Sequence, residues 1–215
     1  LGNYNPDFTL GWNNELSYKG FNLSFLFDWR QGGDLLSRTR LIAATSGNVV
    51  ETLWGREPEF GGAHPGIKDS GLSYVSSSTG ETLTDGIIGD GVKEVLDGEG
   101  NVIGYAENDV IVPANAYHNN RYRRQNETEG LYDATFIKLR ELRLSYSLPK
   151  SLLGATPVQD VKIALMGSNL WLWSKDFNHG DPELLSFDGG RYIPGVENAT
   201  IPSARSMGFS INIGF

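Results

Sequence analysis

The sequence predicts an all-β protein whose strands belong to an antiparallel β-barrel that crosses a membrane. The stretch SMGFSINIGF places a large apolar residue at every second position from Met207 to Phe215, with small or polar residues between them. Such alternation gives a strand one apolar and one polar face. The stretch also lacks the closing turn, charge or polar tail with which soluble proteins usually protect an exposed sheet edge. A closed barrel in lipid has no such edge, and very short connections alternate with very long ones along this chain, as in membrane barrels.

Composition excludes several functional classes. The chain has 215 residues and a net charge of -8, which argues against nucleic acid as a partner. Its one basic cluster is RYRR at Arg121–Arg124. The absence of cysteine excludes disulfides and thiolate metal sites. A mean hydropathy of -0.30 suits a soluble domain, but barrel strands are half polar, so the average does not distinguish the two classes.

The first two strands, at about 8–19 and 21–31, are predicted to form a hairpin through the tight connection Lys19–Gly20. Apolar residues alternate with polar ones along both strands, and Tyr18 and Trp29 lie near strand ends, as in an aromatic girdle. The apolar set comprises Phe8, Leu10, Trp12, Leu16, Tyr18, Phe21, Leu23, Phe25, Phe27 and Trp29. An ordinary β-sandwich face is the alternative interpretation of these two strands alone.

The segment 32–133 contains no long strand and is too long for an ordinary loop, so it is predicted to be a folded insertion. Within it, Asp34–Asn48 has the pattern of a short helix. Gly80–Gly104 is rich in Gly, Asp and Glu, and the sequence VLDGEGNVIGYA predicts a small hairpin that turns on Asp97–Asn101. The acidic run lacks the spacing of an EF-hand loop, so a solvated turn is favoured over a calcium site.

A cluster of aromatic, amide and basic residues marks the best candidate binding site in this insertion. The segment NAYHNNRYRR supplies aromatic rings, amides and Arg, which suit sugar faces and hydroxyl groups, and equally suit a partner protein. Packing within the insertion itself is the alternative. Trp54, from earlier in the insertion, joins this segment, and the candidate residues are therefore Trp54, Tyr117, His118, Arg121 and Tyr122.

Three further strands are predicted at about 134–148, 160–173 and 205–215. The apolar parity of the first of these changes between Leu139 and Leu142, which predicts a β-bulge near Arg140 and Glu141. A basic residue on the lipid face would cost about 2–4 kcal/mol at mid-membrane, so charges must face the lumen. There they would pair with another part of the protein or contact substrate. The predicted lumen-facing residues are Glu15, Asp28, Arg30, Glu141 and Arg143. By the same parity rule, Lys138 and Arg140 point inward above the bulge.

Several segments together resemble a known family. NPDF, DWRQGGD, YDATFIKLRELRLSYSLPKSLL, GSNLWLWSK, GDPE and ARSMGFSINIGF are similar, in order and spacing, to the carboxy-terminal end of SusC/RagA-type TonB-dependent transporters. The resemblance is weakest over 50–113. It implies a bacterial outer-membrane barrel of about 22 strands, of which this chain is only the tail, without the plug and the TonB-contact segment. It also implies import of glycans or peptides together with a SusD-like surface lipoprotein and the TonB complex.

The resemblance further implies a topology and an assembly role. The segments 32–133 and 174–203 would be extracellular loops, and 19–20 and 149–160 periplasmic turns. The last strand would then run from the outside to the periplasm and close the barrel, with Phe209 and Phe215 acting in barrel assembly. Because residue 1 is Leu and no signal peptide precedes it, the chain is expected to be a mature fragment or the tail of a longer protein.

Enzymatic chemistry has little support in the sequence. Glu141 with Glu15 or Asp28 could be imagined as a glycosidase pair, but nothing in the sequence sets the required separation. The three histidines have no ligand spacing, and no phosphate-binding loop is present, so we expect neither a metal nor a cofactor. Two alternatives to an importer remain: a soluble carbohydrate-binding β-sandwich module that uses Trp54, Tyr117 and Tyr122, and a simple porin.

Overall fold

The computed structural model describes residues 2–56, 74–75, 82–83, 86–154, 156–183, 186–188 and 191–215. The chain forms two compact units. Unit 1 comprises Leu1–Ser37 and Leu131–Phe215, and unit 2 is the intervening Arg38–Gly130. In the described ranges, every helix is too short or too polar to cross a membrane. Of the acidic segment Gly80–Gly104, the part before residue 86 lies outside the described residues except for 82–83.

The strands and helices have the following bounds. The strands are β1 Phe8–Tyr18, β2 Phe21–Gln31, β3 Asp34–Ser37, β4 Tyr74–Val75, β5 Thr82–Leu83, β6 Ile87–Ile88, β7 Val92–Leu96, β8 Val102–Glu107, β9 Ile111–Val112, β10 Leu131–Asp133, β11 Phe136–Ser147, β12 Asp160–Ser174, β13 Ser186–Asp188, β14 Arg191–Ile193, β15 Val196–Glu197 and β16 Ser206–Gly214. The α-helices are α1 Arg38–Thr45, α2 Ala114–Tyr122 and α3 Lys150–Leu153, and 3-10 turns cover Val50–Leu53 and Glu127–Gly130.

Five long strands form one antiparallel sheet in unit 1, in the order β1-β2-β11-β12-β16. The first two strands are joined by Lys19 and Gly20, whose φ angles are 46° and 87°. Two consecutive positive φ angles characterise a type I′ turn, which matches the right-handed twist of a hairpin. The turn brings Tyr18 opposite Phe21 and fixes the register of the whole ladder.

One face of this sheet is apolar across all five strands. The register aligns Leu16, Leu23, Leu144, Leu165 and Phe209 in one row across the sheet. These side chains are not covered: Leu165 is 59% exposed and Phe209 is 74% exposed. Aromatic rings contact one another on the same face, as where the Trp12 ring centroid lies 5.5 Å from that of Phe25. A two-layer sandwich would bury this face, so the sheet has the surface of a barrel wall in lipid.

The predicted β-bulge is confirmed. Both ladders of β11 shift register between Leu139 and Glu141. Arg140 is the extra residue opposite β2, whereas in the ladder with β12 the two residues Asn169 and Leu170 lie opposite Arg140. Arg140 hydrogen-bonds Asp28 on the polar face of β2, and Glu141 pairs with Leu26 on the same face. The bulge therefore places the consecutive charged residues Arg140 and Glu141 on the polar face and keeps Leu139 and Leu142 on the apolar face.

A smaller sheet, β10-β3-β15, follows the end of the long strands and corrects one prediction. Asp34–Asn48 was expected to be a short helix, but Asp34–Ser37 is a strand and the helix spans Arg38–Thr45. The reason is tertiary, because Leu35 packs with Ala134 and Phe177 in a buried core that the sequence pattern does not reveal. Pairing with β10 and with β15 provides the backbone hydrogen bonds of this segment.

Unit 2 contains helices α1 and α2 and several short hairpins. The hairpin predicted around Asp97–Asn101 is confirmed, since β7 pairs antiparallel with β8. The carboxylate of Asp97 accepts hydrogen bonds of 2.9 Å from the backbone N–H groups of Glu99 and Asn101. These bonds make the acidic turn self-supporting, as the solvated-turn interpretation requires.

Candidate functional site

The most developed polar site of unit 1 surrounds Lys138 on the polar face of β11. This side chain is only 1% exposed, in line with its predicted position above the bulge. Its ammonium group donates to Asp181 and to Glu183 at 2.7 Å each, and to the Ser203 hydroxyl at 3.4 Å. All three donors of the ammonium are thus used, which is the condition for burying a lysine.

Arg140 extends the site to the neighbouring strand. Its Nε and Nη2 donate to one oxygen of Asp28, at 2.9 and 2.6 Å, and Nη2 also contacts Glu183. Glu183 therefore bridges Lys138 and Arg140 through its two oxygens. We call these residues the latch network: Asp28, Lys138, Arg140, Asp181, Glu183 and Ser203.

The latch network joins the polar face of the sheet to the segment between β12 and β16. Asp181 and Glu183 belong to the GDPE sequence of that segment, and the Asp181 side chain also accepts from the backbone N–H of Glu183 at 3.1 Å. Burial of Asp181 tends to raise its pKa, but hydrogen bonds from Lys138, Ser203 and the Glu183 backbone hold that pKa below its ordinary value. The carboxylate is therefore ionised at neutral pH and holds this segment on the sheet.

A cavity of about 270 Å³ adjoins the latch network. Its lining combines carboxylates, an arginine and two tyrosines, with Leu35 and Phe136 at the apolar end. Its polar lining includes Tyr4, Asp28, Arg30, Asp34, Glu183 and Tyr192. Because the charged and hydroxyl-bearing side chains of the described lining converge on this cavity, the site can bind and position a polar molecule.

The five predicted lumen-facing residues share the polar face, and only Asp28 is in the latch network. Arg30 donates to the backbone oxygens of Tyr4, at 2.5 Å, and Gly32. Glu15 accepts a 2.6 Å hydrogen bond from Asn22 on the next strand. Glu141 and Arg143 are exposed and form no ion pair with a described residue, and they line a groove of about 490 Å³ together with Ser168 and Ser206.

The structure brings the aromatic candidates of unit 2 together. On α2, the rings of Tyr117 and His118 lie 5.6 and 6.4 Å from that of Trp54, and His118 stacks on Tyr122 at 6.2 Å. The His118 Nε2–H donates to the Trp54 carbonyl oxygen at 2.8 Å, since a carbonyl can only accept. His118 is 5% exposed, whereas Trp54 is 42% exposed. His118 thus has a packing role, and Trp54 is the ring that an external molecule can reach.

Arg121 has a partner within the insertion. Its guanidinium lies 3.2 Å from Glu129 and 5.7 Å from the centre of the Tyr122 ring. Burial acts to lower the pKa of this guanidinium, but hydrogen bonds to Glu129 and Tyr117 raise the pKa above its ordinary value. Packing within the insertion, the alternative interpretation of this segment, therefore describes His118, Tyr122 and Arg121 well.

The two residues expected to act in assembly are both exposed. Phe209 lies on the apolar face opposite Leu165, and Phe215 follows the end of β16 with 77% of its surface exposed.

Sequence reasoning placed Lys138 and Arg140 on the inner face but did not select them as site residues, and it missed Asp181, Glu183 and Ser203. The signal was the conjunction of two carboxylates in GDPE with two inward cations on β11. Only their 43- and 45-residue separations hid it.

Metal binding was not expected, and among the described residues no group of three or more His, Asp or Glu side chains could hold a metal ion. The three carboxylates of the latch network are separated by Lys138 and Arg140, whose charges would repel a cation. This site is therefore suited to holding protein segments or a polar ligand together.

Comparisons with known proteins agree with the fold. No family model matches the chain. The chain is 26% identical over 220 residues to TonB-dependent receptor P3 of Formosa agariphila and 28% identical over 218 residues to TonB-dependent receptor P26 of the same organism. Both alignments cover 100% of this chain but only 17% and 18% of those receptors. The chain thus spans less than a fifth of the length of the curated relatives it matches.

Solved structures show the same fold. The RagAB peptide importer in its closed-closed state matches 99% of this chain and 18% of the other chain, with a TM-score of 0.58 and 18% identity. Its open-open state matches 99% of this chain and 17% of the other, with a TM-score of 0.53 and 18% identity. The chain is similar throughout to a carboxy-terminal portion of SusC/RagA-like TonB-dependent transporters, which are outer-membrane β-barrel proteins of Gram-negative bacteria. The predicted resemblance, the antiparallel β-barrel class and the outer-membrane location are confirmed, and the count of about 22 strands stays a prediction.

Proposed function

We propose that this chain is the carboxy-terminal wall of a TonB-dependent importer that takes up glycans or peptides together with a SusD-like surface lipoprotein. The observation that carries the proposal is the sheet itself. Its apolar face is uncovered across five strands, and its opposite face carries charged side chains with a folded segment latched onto them. A wall between lipid and an aqueous lumen requires this division.

The sheet also requires more strands than this chain supplies. Strands β1 and β16 are the edges of the five-stranded sheet, and five strands cannot close a barrel, for which about eight is the minimum. The chain matches less than a fifth of each relative, and we take the complete barrel to have about 22 strands, as the resemblance to SusC/RagA-type transporters implies. We place unit 2 and the segment 174–203 outside the cell, and the plug and the TonB contact in other parts of the protein.

Within this importer, the polar-face residues Glu15, Asp28, Arg30, Glu141 and Arg143 face the lumen. Asp28 supports the latched segment through Arg140, which also contacts Glu183, and Arg30 holds the backbone at Tyr4. Glu141 and Arg143, exposed beside the 490 Å³ groove, pair with the plug. In unit 2, Trp54 is the candidate contact for substrate or lipoprotein, because its ring is exposed and held by Tyr117 and His118.

The relatives are receptors and transporters, which favours a protein without catalytic activity. The soluble β-sandwich alternative requires a second layer on the apolar face, and no described sheet provides it. The porin alternative would require that transport proceed without energy from TonB. Measuring uptake in cells without active TonB therefore distinguishes a porin from an importer.

Uptake in cells tests the proposal. In a strain that carries the full-length gene, we expect the protein in the outer-membrane fraction, and its deletion to abolish growth on, or uptake of, one labelled oligosaccharide or peptide pool. Inactivating TonB should remove the same uptake, whereas a porin would retain it. A full-length product found only in the soluble fraction, or uptake that is unchanged after gene deletion, would refute the proposed function.

A further inference from the structure

We propose that the hairpin formed by β7 and β8 in unit 2 is the docking arm for the surface lipoprotein of the proposed importer, and that the lipoprotein meets it with an apolar centre surrounded by basic residues. This inference rests on the proposed function for the identity of the partner.

The hairpin exposes one apolar face. Cross-strand pairs Val92–Glu107 and Glu94–Tyr105 share a face, and alternation adds Leu96 along β7 and Ile103 along β8. The register shifts after Val95, so that Leu96 pairs with Val102 and Ile103 is the extra residue of a bulge. The four apolar side chains, Val92, Leu96, Ile103 and Tyr105, are 68%, 53%, 66% and 67% exposed. An aromatic and three aliphatic side chains exposed together on one small face are typical of an interaction surface.

The hairpin is ordered without a core of its own. At the tip, Asp97 accepts backbone hydrogen bonds from Glu99 and Asn101. At the base, the Lys93 ammonium lies 2.6 Å from Asp109. The hydrogen bonds at the tip and the ion pair at the base thus fix the conformation of the hairpin and of its apolar face. An isolated two-stranded hairpin is only marginally stable in water, so a partner would gain affinity from this preorganisation and would stabilise the hairpin in return.

Charge identifies the kind of partner. Residues 90–109 contain six acidic residues and one basic residue, a net charge of -5. Glu94 and Glu107 flank the apolar side chains directly, as their pairing shows. A second copy of the chain would bring two such surfaces together, and an anionic lipid surface would repel this one. A protein surface with Lys or Arg around an apolar centre is complementary to it.

The test uses the full-length transporter, co-expressed with a SusD-like lipoprotein of the same organism that carries an affinity tag. We expect Ile103→Ser with Tyr105→Ser to reduce the transporter retained by the tagged lipoprotein at least tenfold, and Glu94→Lys with Glu107→Lys to do the same. The matched control, Val95→Ser with Ala106→Ser, changes the opposite face of the same hairpin and should alter retention less than twofold. Retention of the wild type should fall as salt is raised, because the complementary charges are screened.

A photoreactive residue provides a measurement that does not depend on destabilising the hairpin. Placed at Tyr105, it should cross-link to the lipoprotein in intact cells, and placed at Val95 it should not. Unchanged retention of both double variants, or cross-links from position 105 to a second transporter or to lipopolysaccharide instead, would overturn the docking inference while leaving the importer intact. If the wild type retains no lipoprotein although TonB-dependent uptake occurs, the docking inference fails and uptake stands. If neither occurs, both proposals fail.

Discussion

The ammonium of Lys138 lies 2.7 Å from the carboxylate of Asp181, and both side chains are almost completely buried. One residue lies in the third strand of the barrel wall and the other lies 43 positions further along, in the segment before the final strand. This contact and its neighbours tie that segment to the polar face. Removing one partner of a buried ion pair leaves the other charge buried without compensation, so the loss has a measurable effect on stability.

Removing one partner of the latch network should release the segment. Lys138→Met leaves Asp181 and Glu183 without their shared cation, and loss of one partner of a buried ion pair costs about 3–5 kcal/mol. We expect limited proteolysis of the folded full-length protein to cut within 174–203 far faster in this variant. Lys150→Met, an exposed lysine on α3, is the matched control. Equal cleavage rates in the two variants would mean that the latch does not hold the segment.

The same contact should make the segment sensitive to acid. The folded-state pKa of Asp181 is depressed below its ordinary 3.8, so its contribution to stability is fully present well above pH 3.8. That contribution is lost as pH falls from there through the folded-state pKa. Pepsin cleavage of 174–203 should therefore accelerate below about pH 3.8 in the wild type, and Asp181→Asn should already be cleaved rapidly at pH 5. A wild type and variant with the same pH profile would contradict this assignment.

The two faces of the sheet can be compared at adjacent positions. Leu165 and Met166 are both apolar and exposed, but Leu165 pairs with Leu144 on the apolar face and Met166 pairs with Arg143 on the polar face. Lysine on a lipid face costs about 2–4 kcal/mol near mid-membrane. We expect Leu165→Lys to lower the heat-modifiable, assembled fraction strongly and Met166→Lys to lower it little. The reverse order would show that the lipid and lumen faces have been exchanged.

The hairpin turn offers a test of backbone conformation. Gly20 has φ 87°, and a Cβ there would lie 2.9 Å from the backbone oxygen of Ser147. Gly20→Ala should therefore destabilise the hairpin by about 1 kcal/mol or more. Lys19→Asn should be neutral or stabilising, because Asn tolerates the positive φ that Lys19 adopts. Urea midpoints of the refolded full-length barrel measure both effects, and a harmless alanine would disprove the strained-turn account.

Substitutions at Trp54 and His118 should have different effects, one on binding and the other on the folding of unit 2. Trp54→Ala removes an exposed ring, so it should weaken capture of substrate or lipoprotein about tenfold and leave protease resistance of the insertion unchanged. His118→Ala removes a buried ring that bonds the Trp54 carbonyl, so it should make the insertion protease-sensitive. Normal capture by the Trp54 variant would leave the aromatic cluster with a packing role only.

Assembly can be tested at the end of β16. Deletion of Phe215 should lower the amount of assembled protein and leave substrate preference unchanged, if this exposed terminal aromatic acts in assembly as proposed. Immunoblots of outer-membrane fractions together with uptake ratios for two substrates measure the two effects. Normal assembly of the deletion variant would remove Phe215 from that role.

The strands were predictable because each depends on a local, repeating pattern. Alternation along β16, the parity change at Arg140 and the short connection at Lys19–Gly20 each specify structure through neighbours in sequence. The helix expected over Asp34–Asn48 was partly wrong for the opposite reason. Leu35 is buried against Ala134 and Phe177, about a hundred or more residues away, and that packing overrides local propensity.

The sequence by itself determined that five strands have one lipid-compatible face and one charged face, because side-chain direction in a strand follows directly from position. The tertiary structure alone decided which charges meet. No local pattern relates Lys138 and Arg140 to Asp181 and Glu183, since ion pairing depends on distance in space and the segment before β16 meets β11 only in the folded chain. It likewise decided that His118 is buried while Trp54 is exposed, because burial depends on how helices and turns of the insertion pack together.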